Sequence, residues 1–464
     1  MKASTLKKTM ALVGLLSTMT LAACSGNSNS STANSTATAS SSYFTDSDFD
    51  SSYDTATAAT IDLSGSSATV SGSGVSVSGS TVTISSEGTY IISGSSENVQ
   101  ILVKAADSAK VQLVLDNVTM TGDQAAIYVE EADKVTLTLA EGSTNSISDS
   151  VANSNATVDA AIYSKSDLTF NGEGQLTVKG NYNNAIESND DLRITGGTYI
   201  VSAVGHGFNV NDALNIANAI IDVTATEDAL HSDNDEESNM GNLYLQDATI
   251  TASAGDDGFH ASGALVVDGG SYTVSQSTEA LEGTIVHILS GSLDLTATED
   301  GINAADASSY SEASLTIDGG DISLTAGGDG LDSNGNIAIK GGSVTVIGAK
   351  SDGDGTIDYE GEATITGGEV FVVGSSGMTQ GFSSSSTQAS ILATAISGEA
   401  GATITVKDAS GQTLASYTAT QSFDSVLVSS SAIKEGESYT IEVNGQSITA
   451  TAKLETGAMN QTSQ

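Results

Sequence analysis

From Asn184 to Gly377 the chain repeats one pattern about eight times. Each unit carries an acidic or amide residue, then Ala or Gly, a large apolar residue and a polar residue, followed by a strand, a Gly-Gly turn and a second strand. The clearest copies read EDALHSD from Glu227, DDGFHAS from Asp256, TEALEGT from Thr278, EDGINAA from Glu299 and GDGLDSN from Gly328. The apolar anchors Ile162, Ile186, Phe208, Leu230, Phe259, Leu281, Ile302 and Leu331 lie 24, 22, 22, 29, 22, 21 and 29 residues apart. A near-constant period of this size means that a unit buries its apolar face only against its neighbours, so the chain stacks into a solenoid.

The strands of the repeat, and earlier stretches such as ATVSGSGVSVSGSTVTIS from Ala68, alternate with period two. No segment carries a helical period, so the chain reads as all-β. A coil of about 22 residues is enough for three short strands stacked about 4.8 Å from the next coil, which predicts a right-handed parallel β-helix over residues 61–382. The Gly-Gly pairs would supply corners where a side chain clashes or φ is positive. The two 29-residue intervals carry insertions, SDNDEESNMGN and AADASSYSEAS. Both fall just after the polar position and are expected on the same edge of the helix. Past a Ser/Thr-rich break, residues 391–456 contain two hairpin patterns, with Ser410-Gly411 and Asn444-Gly445 at their turns. They read as a small C-terminal β domain or cap over the open end of the helix.

Residues 1–23 read as a lipoprotein signal peptide: basic Lys2, Lys7 and Lys8, an apolar run too short to span a membrane, and the lipobox Leu21-Ala22-Ala23-Cys24. Cys24 is the only cysteine, which excludes an internal disulfide and is the expected lipidation site. Residues 24–60 are rich in Ser, Thr and Asn and read as a flexible tether, with Asp46, Asp48, Asp50 and Asp54 as a solvating charge run. These features predict an extracytoplasmic protein, anchored by lipid at the cell surface or on the periplasmic face.

The formal charge is −43, and losing the three leader lysines makes the chain more acidic still. Nucleic acid is therefore excluded as a partner, because phosphate binding needs basic patches.

Stacking turns sequence columns into rows. The residue after each anchor gives Tyr163, Glu187, Asn209, His231, His260, Glu282, Asn303 and Asp332, with Asp358 next if the last coil is one residue longer. The residue two before each anchor gives Asp228, Asp257, Glu279, Asp300 and Asp329, with Asp354 as the expected continuation. Glu227, Asp256 and Glu299 lie beside that row. Carboxylates about 5 Å apart repel, and between Asp228 and Asp358 only Lys340 and Lys350 are available to offset them. Ca²⁺ favours six to eight hard oxygen ligands and would both cancel the repulsion and link adjacent coils. The candidate Ca²⁺ ligands are Asp228, Asp257, Asp300, Asp329, Asp332, Asp352, Asp354 and Asp358, together with Glu227, Asp256 and Glu299. The plainer alternative, Asx-type turns before Gly, accounts for one Asp per coil but not for the doubled acids. SDGDGTIDYEGE from Ser351 resembles an EF-hand loop but has no helical pattern on either side, so it reads as a calcium corner of the solenoid itself. His206, His231 and His260 recur at coil spacing and raise the possibility of a transition-metal site. Without a cysteine cluster they read instead as polar ladder residues.

The lipobox, VTISSEGTYIISG, VQLVLDNVTMTG, AAIYVEEADKVTLTLAEGSTNSISD and the EDGIN and GGDGLDSNG coils follow one another in an order that resembles a known family. This family comprises bacterial calcium-binding, carbohydrate-binding proteins with a polysaccharide-lyase-like parallel β-helix, and the resemblance covers about residues 61–450. It implies binding of cellulose or acidic polygalacturonate, with Ca²⁺ at coil corners formed here by Asp228, Asp257, Asp300, Asp329, Asp332 and Asp354.

The expected function is calcium-dependent polysaccharide binding without cleavage, by a monomer. The carbohydrate-binding residues are not identifiable from the sequence; stacking on a neutral glucan would need Tyr128, Tyr163, Tyr182 or Tyr199. One alternative is a calcium-dependent lyase with Lys350 as base, although neighbouring carboxylates would raise the pKa of that lysine, the wrong direction for a base. The other is a structural surface adhesin.

Overall fold

A computed structural model of the chain describes residues 43–457, apart from 154, 156, 235, 238–239, 306–311, 349–350 and 352. Cys24, Lys350 and Asp352 lie outside the described residues. Among the described residues the structure is all-β apart from one four-residue helix, Asp46–Phe49, and its main sheet contains 34 strands.

Three parallel ladders run through the repeat region as a parallel β-solenoid. The first ladder includes Ile127–Glu131, Ala160–Ser164, Asn184–Ser188, Phe208–Val210 and Leu230–Ser232. Its register pairs Ile127, Ile162, Ile186, Phe208, Leu230, Phe259, Leu281, Ile302 and Leu331 in turn, and a bridge from Leu331 to Ile357 extends it. The second ladder aligns Leu168, Leu192, Leu214, Leu243, Leu265, Val286, Leu315 and Ile337. The third aligns Leu176, Tyr199, Ile221, Ile250, Tyr272, Leu293, Ile322, Val344 and Val370. All three apolar columns point inward and form one continuous core. Burying each such side chain contributes about 1.5–3 kcal/mol before the entropy of ordering the chain is set against it.

The residue before each anchor is Ala or Gly because space runs out there. A Cβ on Gly301 would meet Leu324 Cδ2 at 2.5 Å, and one on Gly330 would meet Val346 Cγ1 at 2.3 Å. In the Gly341-Gly342 corner the two residues do different work. Gly341 lies where a Cβ would strike the Asp318 carbonyl at 2.4 Å, whereas Gly342 takes a φ of 83°. In chain order both insertions fall between a first-ladder strand and a second-ladder strand.

Each end is closed. At the N-terminal end Ala59–Gly65 pairs antiparallel with Ser67–Ser71, and Val75–Ser78 with Thr81–Ile84. At the C-terminal end Ser425–Ser429 pairs antiparallel with both Glu369–Gly374 and Ser390–Ala393. The two sequence hairpins, Thr403–Lys407 with Thr413–Thr418 and Ser438–Val443 with Gln446–Thr451, build a separate four-stranded sheet. This C-terminal module shares a core with the last coils: Ile347, Phe371 and Val373 pack with Ile404, Val426 and Ile441. Phe371 stacks on Tyr417 with ring centroids 3.6 Å apart.

The tether expected to reach residue 60 does not remain free over its last part. Residues 43–52 form a strap across the outer face of the second ladder. Tyr43 stacks on Tyr244 at 3.7 Å, and Phe44 packs with Ala217, Tyr244 and Val266. Asp48, expected to be solvated, is fully buried; it pairs with Lys134 and accepts a hydrogen bond from Thr169 Oγ1 at 3.0 Å. Burial of an acid among apolar contacts is tolerated here because a cation and hydroxyl donors meet it.

Candidate functional site

The turn entering each first-ladder strand carries the acidic positions, and the coil register decides what each oxygen does. The side chain two before the anchor accepts a hydrogen bond from the backbone N–H at the same position in the next coil. Asn184 Oδ1 accepts from His206 at 2.9 Å, Asp228 Oδ1 from Asp257 at 2.8 Å, Asp257 Oδ1 from Glu279 at 3.2 Å and Asp300 Oδ1 from Asp329 at 2.7 Å. Asp329 Oδ1 accepts from Gly355. One oxygen of each of these Asp carboxylates therefore links coil to coil, a role that Asx turns within a coil would not fill. The other is left for the polar row: Asp228 Oδ2 lies 2.6 Å from His231 Nδ1, and Asp257 Oδ2 lies 3.3 Å from His260 Nδ1.

The polar row is assembled as the spacing predicts, with Tyr163, Glu187, Asn209, His231, His260, Glu282, Asn303 and Asp332 paired in sequence. Asp358 follows beside the Leu331–Ile357 bridge. Asp354 does not continue the inner row, because Gly355 takes that position and donates to Asp329. The extra residue in that coil shifts Asp354 outward, where it accepts from Ser351 Oγ at 2.5 Å. Glu227, Asp256 and Glu299 are exposed beside the inner row, and Glu227 Oε2 lies 3.0 Å from His206 Nε2.

Along this corner the groove has three stretches. The first, of about 420 Å³, is lined by Tyr163, Glu187, Asn209 and Asn211. Burial, together with nearby Asp159, pushes Glu187 up to about 7, although Asn184 Nδ2 donates to it at 2.8 Å. The second stretch, of about 600 Å³, contains His206, His231 and His260 with Asp228, Asp257 and Glu282. The His rings stack with centroids 4.2 and 4.9 Å apart. Against the penalty of burial, hydrogen bonds to Asp257 and Glu282 hold His260 up at about 10. Burial works the same way against Asp228, yet His206 and His231 beside it hold it below the usual carboxylate range.

The third stretch has carboxylates and no histidine. Oxygens of Asp300, Asp329 and Asp332 lie within 4.8 Å of one another. Burial and the neighbouring acids push Asp329 up to about 7 and Asp332 to about 6. At the boundary, burial and Glu282 push Glu279 up to about 8. Carboxylates arranged this way retain protons near neutrality unless a cation takes their place. Asn303 sits on the same corner, opposite Asp332 in register; its Nδ2 donates to Glu279 Oε2 at 3.0 Å. Its Oδ1 is buried without a hydrogen-bond donor. Three carboxylates and one idle amide oxygen are a hard, oxygen-only donor set, which fits Ca²⁺.

Some participants escape a reading of columns alone. Asn184 and His206 belong to the inner row, a place visible in the sequence once Ile186 and Phe208 are taken as anchors. A further carboxylate group, Asp190, Asp191 and Asp212, gathers at the neighbouring corner beside Arg193; Asp190 and Asp212 each lie four residues after an anchor, Ile186 and Phe208. Of the tyrosines considered for stacking on sugar, Tyr199 is in the core and Tyr163 is buried, while Tyr128 and Tyr182 retain exposed surface.

Comparison with known proteins bears on the whole region. A family model described as carbohydrate-binding domain-containing protein matches residues 78–285 and 262–463. A relative of that same description from Acetivibrio thermocellus is 39% identical over 122 residues, 25% of this chain and 43% of the relative. The match thus spans less than half of that protein's length. Among solved structures, the polysaccharide lyase-like protein from C. thermocellum, a gadolinium derivative, is 32% identical, with 51% of this chain and 96% of that chain covered and a TM-score of 0.47. With family matches running from residue 78 to 463, the chain belongs to the carbohydrate-binding domain-containing protein family.

Proposed function

We propose that the protein is a calcium-dependent polysaccharide-binding protein that holds its glycan without cleaving it. In this reading the chain is a monomer, its coils are right-handed, and Cys24 carries the lipid that anchors it outside the cytoplasm. The observation that carries the cation part is the cluster of Asp300, Asp329 and Asp332 beside the undonated Oδ1 of Asn303. Asp358 and Asp354 add negative charge to it from the next coil. Ca²⁺ held there would neutralise the row and give a uronate carboxylate something to bind on a chain that otherwise repels anions. Acidic polygalacturonate is therefore the first glycan to try and cellulose the second. Half-buried Tyr128 and Tyr182 offer the stacking surface a neutral chain would need.

Retention on insoluble polygalacturonate and on cellulose, in CaCl₂ and in EGTA, tests the reading. Wild-type protein is expected to be retained in CaCl₂ and released by EGTA, with Asp329→Asn released in both. Equal retention in EGTA would remove calcium from the function. Release of unsaturated uronide from polygalacturonate would replace binding with lyase chemistry.

A further inference from the structure

The groove changes its chemistry along its length. From Asp300 onward its donors are oxygens alone, whereas between His206 and His260 the same register positions present imidazoles. His231 Nδ1 lies 2.6 Å from Asp228 Oδ2, and His206 Nδ1 lies 3.4 Å from that same oxygen. Donor atoms of these three residues all lie within 4.8 Å of one another, and Asp228, Asp257 and His260 form a second such set that shares Asp228. We propose that His206, His231 and Asp228 form a site for a borderline transition metal of the Zn²⁺ class, separate from the calcium stretch.

Imidazole nitrogen suits Zn²⁺, Co²⁺, Ni²⁺ and Cu²⁺, while Ca²⁺ selects oxygen, so the two stretches sort cations by chemistry rather than by charge. Asp228 is buried and pinned through Oδ1 to the Asp257 amide, which leaves Oδ2 fixed toward the rings. The first two rings stack with centroids 4.2 Å apart. His206 Nδ1 also accepts from the Asp228 amide at 3.2 Å, and Nε2 of the same ring lies 3.0 Å from Glu227 Oε2. Metal ligation replaces the amide contact and leaves Glu227 to orient the ring, the usual service of a carboxylate behind a metal-bound histidine. The metal likewise takes the place of the proton shared by His231 and Asp228, so binding releases protons. Three protein ligands leave a position open, and it faces the groove, where an oxygen of a bound ligand or water completes the shell.

The inference is independent of glycan binding and of calcium at Asp329. The experiment is calorimetric titration of the full chain with ZnCl₂ in excess CaCl₂, with the visible spectrum of CoCl₂-loaded protein as a second readout. One zinc equivalent is expected, with proton release and Co²⁺ absorption bands. His231→Gln and His206→Gln should weaken zinc at least about tenfold, the lower end of what outer ligand changes already cost. Asp329→Asn should bind zinc as wild type does. Melting in CaCl₂ checks that each variant is folded, and using two glutamine variants guards against the failure of one. Zinc bound equally by wild type and both folded glutamine variants, or not bound at all in CaCl₂, would overturn the proposal and leave the histidines as counter-charges within the acidic row.

Discussion

Asp329 shows how one carboxylate serves two ends, with one oxygen bonded to the Gly355 amide and its charge crowded by Asp300, Asp332 and Asp358. Its folded pKa, about 7, is above the ordinary value near 4. A group raised in this way supports folding below its unfolded pKa, and that support is lost as pH rises toward the folded value. In EGTA the melting temperature should therefore fall between about pH 4 and pH 7. Asp329→Asn should flatten that fall and melt about 1 °C higher than wild type at pH 7 in EGTA, the shift expected for ~1 kcal/mol in a chain of this length once solvent screening is allowed for. In CaCl₂ the order should reverse; an unchanged order would separate the stability of the row from any cation. At this scale the polar row was legible in the sequence, since Glu282, Asn303 and Asp332 follow their anchors at fixed offsets. Depth was not. Asp228 and Glu227 are adjacent in sequence and both reach His206, yet one is buried and the other exposed.

Among elements, the three ladders and both C-terminal hairpins could be read from alternation and turn chemistry, because strand neighbours in a solenoid are about one period apart. The strap could not. Its composition, Ser, Thr and Asp around two phenylalanines, matches that of a linker, and its fold depends on Lys134, 86 residues away from Asp48. Lys134 keeps little exposure and Asp48 none. Removing one partner of such a pair strands the other, so Asp48→Ala should cost about 3 kcal/mol of local stability. The strap should then be cleaved early in limited proteolysis while the coils remain resistant. Cleavage at the wild-type rate would mean that the Tyr43–Tyr244 and Phe44 contacts hold it unaided.

For the molecule as a whole, the period predicted a stack, and the hairpin patterns predicted a module beyond it. How that module joins the stack was hidden, because Ser425–Ser429 pairs back across some fifty residues with Glu369–Gly374. That antiparallel strand covers the last parallel edge, which would otherwise offer unpaired backbone groups to another chain. A chain ending at residue 380 should bare this edge along with Phe371 and Val373, and light scattering should show it associating into large species. A truncated chain that stays monomeric would place the protection elsewhere. The strap also has a mechanical consequence. Asp48 bonds to residues of successive coils, with Lys134, Thr169 and Thr195 each meeting it, while Tyr43 lies several coils further along at Tyr244. Tension applied at residue 43 is therefore carried sideways into several coils at once, as shear across their side chains. The first hairpin is not the point that takes the load, and the solenoid resists a pull from its N-terminal side without peeling open at its end.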